Sequence, residues 1–336
     1  MPTNSDAALT RRGFAAAATG ALAAVASPAS PSAIAGQPVP AATSATPGGF
    51  WPDGARLAIS ISLMFEAGGQ PISGAGGPLS EPIRPGFPDQ PTNAFFDYGI
   101  NEGIPRALDL FDKHDIKVTS FMIGKAIEKN PNLAREIVRR GHEAAAHGPT
   151  WSPSYDLPRD EEKAFIEASV DTIQRITGQR PVGWNAYWLR NSIHISETLQ
   201  DLGFLYSIDE PSRDEPFIIP VRGRDFAMVP YTIHMNDFLF PFQGYDPLGH
   251  EQALRDEFDQ LYAEGARRRR MMVIGMHDRV SGHANRIRQL DRFLTYAKTH
   301  DDVWFARKDE IARWALSQRE FTPIVHRGAP AETGLP

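Results

Sequence analysis

The apolar period switches between two and 3.6 along most of this chain, and that alternation limits the available folds more than any other feature. Leu57-Ala58-Ile59-Ser60-Ile61-Ser62-Leu63 has period two, which specifies a strand. Pro105 then opens a helix with Ile104, Ala107, Leu108 and Phe111 on one face, proline being suited to a first helical turn. Residues 118–123 read as the next strand. The helix begun at Asn130-Pro131 ends at Arg139-Arg140-Gly141, where basic side chains meet the negative end of the dipole and glycine stops the helix. The series continues with strand 143–147, helix 159–176, strand 181–187, helix 196–202 and strand 205–208. Extended pieces at 217–221 and 226–231 follow, then helix 251–266, strand 271–277, helix 285–298, strand 303–305 and helix 309–316. About seven such βα units, each of roughly forty residues, specify a parallel α/β sheet, either a barrel or doubly wound. The glycines after the first strand, Gly68-Gly69 and Gly74-Ala75-Gly76-Gly77, do not spell the G-x-G-x-x-G of a dinucleotide fold. That favours the barrel, in which active residues gather at the C-terminal strand ends.

The ends of the chain read differently. Thr10-Arg11-Arg12-Gly13-Phe14 precedes a mildly apolar, alanine-rich run, and Ala33-Ile34-Ala35 offers a small-residue cleavage site. Residues 1–35 are therefore expected to be a twin-arginine export signal, too short and alanine-rich to span a bilayer. Residues 36–49, rich in Pro, Ala, Ser, Thr and Gly, form an expected disordered linker. A single catalytic domain is expected over 50–324 and a loose tail over 325–336. The expected location is the periplasm or the exterior, with membrane contact only through the signal. Cysteine is absent, which removes disulfides, thiolate metal ligands and cysteine nucleophiles. A formal charge of -6 argues against nucleic acid as a partner. The basic run Arg267 to Arg270 reads as the solvated C-terminus of a helix.

Under the barrel reading, Glu66 follows the first strand, His147 the third, and Trp184 with Asn185 lie on the fourth. Asp209 and Glu210 follow the fifth, and His277 with Asp278 the last well-marked one. A carboxylate, an imidazole and an imidazole–carboxylate pair in one mouth suit acid–base hydrolysis. Trp151, Trp184, Tyr187, Trp188 and Phe65 could face that mouth and stack on a sugar or a flat ring. The run Phe238-Leu239-Phe240-Pro241-Phe242 with Tyr245 could form a lid or a homo-oligomer contact.

Gly141-His142-Glu143 ending in His147-Gly148, the Asn130-Pro131 helix, Arg180-Pro181-Val182-Gly183-Trp184, Gly203-Phe204-Leu205-Tyr206 and the late His277 together resemble the polysaccharide deacetylase (NodB-homology) family, over about residues 56–314. The resemblance implies a distorted (β/α) barrel of about seven strands and hydrolysis of a non-peptide C–N bond. It also implies a divalent metal held by the second acid of a paired-Asp motif and by two histidines four residues apart. Here those positions read Glu66-Ala67, and His147 followed by Trp151. His142 should face the other side of its strand. No metal is therefore expected; if zinc or another divalent ion binds, His147 with Glu66 or His277 would hold it. The lost ligands, Asp97-Tyr98-Gly99 and Ser281-Gly282 look most like the allantoinase-like branch, whose members include metal-independent hydrolases of cyclic ureides.

The expected activity is hydrolysis of an amide, cyclic amide or N-acetyl group in a small-molecule or glycan substrate. Glu66 or His147 would act as base, and His277, steadied by Asp278 or Asp209, as acid. Arg190 or Arg279 would support the oxyanion, and Trp151, Trp184, Asn185 and Asp209 would contact substrate. The alternatives are a metal-dependent deacetylase with a rebuilt site and a non-catalytic protein that binds a glycan or small ring.

Overall fold

The computed structural model describes residues 49–73, 77–79, 81, 83–84, 86–238 and 249–318. The expected export signal, all but the last residue of the linker, residues 239–245 of the apolar loop and the expected tail lie outside the described residues. The elements in chain order are β1 (Leu57–Phe65), α1 (Gln90–Tyr98), α2 (Ile104–Lys113), β2 (Thr119–Met122), α3 (Gly124–Lys129), α4 (Pro131–Arg139), β3 (Glu143–Ala146), α5 (Arg159–Thr177) and β4 (Gly183–Trp184). They continue as α6 (Ile195–Asp201), β5 (Tyr206–Ser207), β6 (Phe217–Val221), β7 (Arg224–Met228), α7 (Gly249–Gly265), β8 (Met271–His277), α8 (Ala284–Ala297), β9 (Val303–Phe305) and α9 (Lys308–Ser317).

The strands form one sheet in the order β6-β7-β5-β4-β3-β2-β1-β8, with β9 also on β1. All pairings are parallel except β6 with β7, a hairpin whose turn residues Arg222 and Gly223 both have positive φ (47° and 76°), as a two-residue hairpin turn requires. One edge of β1 is divided between two partners: β9 pairs with Leu57–Ile59 and β2 with Ser62–Phe65. The outer edge of β8 meets no further strand among the described residues. It receives Asn236 through a single parallel bridge to Gly275. The expected barrel is thus a curled, incompletely closed one.

Alternation along β1 builds two cores. Leu57, Ile59, Ile61, Leu63 and Phe65 pack under the surrounding helices, whereas Ala58 and Met64 line the inside of the curl with Phe121, Ala145, Tyr206 and Val273. Helix α9 closes the N-terminal end of the curl over a buried polar network. Glu143 accepts hydrogen bonds from Thr119 Oγ1 (2.7 Å), Tyr206 Oη (2.9 Å) and the Asp309 N–H (3.0 Å). Burial, then Asp309, pushes the Glu143 carboxyl up to about 8, and burial pushes Lys308 down to about 7. His142 faces the helices, as its place on β3 requires: Nδ1 accepts the Val118 N–H at 3.1 Å and the ring packs on Phe111.

Two helices, α1 and α3, were not legible in the sequence. Helix α1 lies in a stretch with little apolar period. Asp89 caps it, accepting from the Thr92 N–H (3.1 Å) and from Thr92 Oγ1 (2.7 Å). A wide turn over Gly99–Gly103 runs it into α2. That turn lies on the backbone that follows β8, so close that a Cβ at Gly103 would sit 1.9 Å from the Asp278 carbonyl oxygen. Gly103→Ala should therefore cost about 1–3 kcal/mol of stability by forcing α1–α2 away from β8. Urea unfolding of the two chains checks this, and an unchanged midpoint would contradict the close packing.

Candidate active site

Register aligns the strand ends that carry the chemistry. Phe65 pairs with Met122, Met122 with Ala146, Ala146 with Trp184, and Met64 with His277. The next residues along, Glu66, His147 and Asn185, therefore emerge in one layer with His277 at the mouth of the curl.

Glu66 is the hub of that layer. Its Oε2 accepts from Arg279 Nη1 at 2.6 Å. Its Oε1 faces His147 Nε2 at 3.3 Å and His277 Nε2 at 3.6 Å. All four side chains are buried. Asp278 Oδ2 accepts the backbone N–H groups of Glu66 (3.0 Å) and Ala67 (2.9 Å), which fixes the direction of the Glu66 side chain. Burial opposes ionisation of Glu66, but Arg279, then His277 and His147, outweigh it and hold the carboxyl well below the usual range.

Each imidazole is anchored through its other nitrogen. His147 Nδ1 lies 2.9 Å from the Asn185 carbonyl, and His277 Nδ1 lies 2.7 Å from Asp237 Oδ1. Neither partner can donate, so Nδ1 carries the proton in both rings. Each Nε2 is consequently either a lone pair aimed into the site or, in the imidazolium, a donor toward Glu66. Burial works against protonated His277, but the Glu66 and Asp237 carboxylates overcome it and raise its pKa. Asp237 is itself held by the N–H of His277 (2.7 Å), the N–H of Ser281 (3.0 Å) and Ser281 Oγ (2.6 Å).

Several expected roles change. Asp278 does not steady His277: β8 ends at His277 and the chain turns at Asp278, whose carboxylate serves the Glu66 loop and Arg279 instead. Asp237, which the sequence reading missed, takes that place. Asp209, two residues past β5, makes no hydrogen bond or ion pair with His277 among the described residues. It accepts from Asn185 Nδ2 and the Ala186 N–H, both at 2.9 Å, and so positions Asn185. Trp184 points to the helix side of β4, edge-on to Phe204, away from the mouth. Arg190 is exposed and outside the cavity wall. Only the partnership of Asp237 with His277 had a signal, the need of a buried imidazole for an acceptor at Nδ1; the acceptor lies forty residues away on an irregular segment.

A cavity of about 120 Å³ opens over these groups, lined by Glu66, His147, Asn185, His277 and Arg279 with a rim of aromatic side chains. Trp151 lines it and packs edge-on against Tyr187 at 5.1 Å. Trp188 bridges from Trp151 to Phe238, and Phe238 lies against His277. Trp188 and Leu189 both have positive φ (54° and 58°), a strained geometry that carries the Trp188 ring out to the rim.

A divalent metal does not fit this donor set. The positions of two implied ligands hold Ala67 and Trp151, and the Arg279 guanidinium already places positive charge on Glu66 Oε2. Among the described residues, no group of three or more His, Asp and Glu side chains has the geometry to hold a metal ion.

The sequence model of the polysaccharide deacetylase family matches residues 87–206. A crystal structure of a probable polysaccharide deacetylase from Pseudomonas aeruginosa is 32% identical, with 82% of this chain and 96% of that one covered and a TM-score of 0.74. A crystal structure of PuuE allantoinase is 31% identical, with 83% and 96% covered and a TM-score of 0.75. A Schizosaccharomyces pombe protein named as a polysaccharide deacetylase is 29% identical, over 78% of this chain and 91% of that one.

Because the folded pKa of His277 lies above its ordinary value, its proton stabilises the fold at low pH, and that contribution fades as pH rises through the folded value. Asp237→Asn removes one of the two carboxylates responsible, so the His277 pKa should fall toward its ordinary value. An NMR titration of the imidazole checks this; a pKa unmoved by the substitution would remove Asp237 from the account.

Proposed function

The chain belongs to the polysaccharide deacetylase family, and on that premise we propose that it hydrolyses the C–N bond of a small cyclic amide, imide or ureide by acid–base catalysis without a metal. One observation carries this reading most: an ionised Glu66, held by Arg279, with two Nδ1-anchored imidazoles aimed at its free oxygen. A carboxylate held so far below the usual range is a weak base, since efficient proton transfer needs a pKa near the working pH. Glu66 is therefore assigned to orienting and charge balance. His147, whose anchor is a neutral carbonyl, takes the proton from water at Nε2. His277, flanked by the Glu66 and Asp237 carboxylates, holds a proton at Nε2 and delivers it to the leaving nitrogen. Arg279 and the second N–H of Asn185 face the space where the oxyanion develops, a donor of that kind often contributing about 3 kcal/mol.

The cavity supports a small substrate. At about 120 Å³ it holds the equivalent of roughly four waters, less than the ~300 Å³ at the low end for drug-sized ligands. Trp151, Trp188 and Phe238 offer flat faces to a planar ring. A second reading, removal of an N-acetyl group from a glycan, is favoured by Trp188, which is 45% exposed at the rim and available to a sugar outside the cavity.

Glu66→Gln and His277→Ala should each lower kcat about 10²–10⁴-fold on the true substrate, and extended treatment with a chelator should leave wild-type turnover unchanged. Assays on cyclic ureides, imides and acetylated oligosaccharides, with the metal content of the protein measured in parallel, check both statements. Stoichiometric metal with chelator-sensitive activity would replace this mechanism by a metal-dependent one.

We further propose export before function, on the Arg11-Arg12 signal reading. Cell fractionation should find the chain outside the cytoplasm and an Arg11→Lys/Arg12→Lys variant inside it. Equal distribution of the two would refute the export route.

A further inference from the structure

A second cavity, of about 350 Å³, adjoins the first and shares Arg279 and Phe238 with it; its other walls are Phe95, Val280, His283 and the first turn of α8 with Asn285 and Arg286. No acidic side chain among the described residues lines it. Arg286 is 8% exposed, yet its guanidinium makes no hydrogen bond or ion pair among the described residues, and its Nη1 is buried without a partner. Burial pushes this guanidinium below its ordinary pKa, and Asp237 offsets only part of that effect. A buried, unpaired arginine is costly unless an anion joins it. Asp237, the carboxylate that acts on Arg286, is committed to His277 and Ser281, while Glu66 and Asp278 are committed to Arg279. The N-terminus of α8 opens beside Arg286 with no side-chain cap; the Arg286 and Ile287 N–H groups turn back to the His283 carbonyl (both 2.9 Å), which leaves those of Ala284 and Asn285 to serve an anion.

We propose that this second cavity is a carboxylate-binding subsite, with Arg286 as the principal contact. The hydrolysis proposed above supplies one source of such an anion. Water gives its hydroxyl to the acyl carbon and a proton to the leaving nitrogen, so at neutral pH the ring opens to a single product whose acyl end is a carboxylate. That product forms beside the anionic Glu66 and is repelled by it, while the adjoining cavity offers a compensating cation. A carboxylate substituent on the substrate is the other source. The site itself stands on its own geometry; only the origin of the anion rests on the hydrolase reading.

The test measures binding of acetate and propionate, with acetamide and propionamide as neutral controls, to the purified chain by ligand-observed NMR. Carboxylates should bind and amides should not. Arg286→Gln should weaken binding about tenfold or more, Arg286→Lys less. Should Arg286→Gln fail to fold, Asn285→Asp adds a negative charge to the cavity wall and should weaken binding comparably. Equal binding of acids and amides, or carboxylate binding untouched by the folded Arg286 or Asn285 variant, overturns the proposal. Kinetics then separate the sources. Arg286→Gln raises KM only for carboxylated substrates if the anion is a substituent, and relieves product inhibition without changing KM if it is the acyl product. Because binding needs no turnover, a catalytically intact Glu66→Gln variant would sink the hydrolase roles while leaving this subsite standing.

Discussion

The contact between Glu66 and Arg279 organises the mouth of the barrel. Burying a carboxylate and a guanidinium together is tolerable only when their remaining valences are met. Here Asp278 meets them on one side, bonding both the Glu66–Ala67 backbone and Arg279, and the two imidazoles face Glu66 on the other. Asp237 completes the set behind His277. Three carboxylates thus surround one fixed cation, and the local field favours further positive charge. The raised pKa of His277 follows from that imbalance, with burial opposing it. In the metal-free mechanism proposed above, a guanidinium and a transferable proton together supply the charge that a divalent ion would bring.

The same pair explains why α1 and α2 sit where they do. Arg279 is 1% exposed, stacks over Phe96 of α1 at 4.2 Å and leaves β8 at a point where only glycine at 103 permits contact. On that side α1 and α2 wall the charged centre from water, and a low local dielectric is what makes its fields strong. Helix packing and site electrostatics are therefore one constraint seen from two sides.

The sequence disclosed the periodic parts of this arrangement and little of the irregular ones. Strand β8, Met271–His277, and strand β9, Val303–Phe305, fall on their expected residues, because continuous apolar runs bounded by polar segments leave little freedom. That Glu66, His147, Asn185 and His277 would meet in one mouth was legible because each sits at a strand end, and register brings strand ends together. Asp237 was not, since it lies on an irregular segment whose course is set by a single bridge to Gly275. Trp184 was misplaced because adjacency to Asn185 in sequence was read as adjacency in space, whereas neighbours on a strand face apart; Asp278 was misplaced because the chain turns immediately after β8. Strand 181–187 shortens to Gly183–Trp184, and by Tyr187 the chain has entered a tight turn whose positive-φ residues, Trp188 and Leu189, give no hint of that conformation in their side chains.

Strand β1 joins two polar networks that work in opposite directions. At its N-terminal end it pairs with β9, which leads into α9, where Glu143, Thr119, Tyr206 and Lys308 form a closed set with no opening to solvent. At its C-terminal end it pairs with β2 and delivers Glu66 into a cavity. Both networks are buried, but their valences are met differently: Glu143 receives hydrogen bonds from three groups that stay in place, whereas the free oxygen of Glu66 faces two nitrogens that can each gain or lose a proton. A polar cluster satisfied by fixed donors rigidifies a fold. One satisfied by exchangeable protons can do chemistry, and it tolerates that instability because the other end of the same strand is locked.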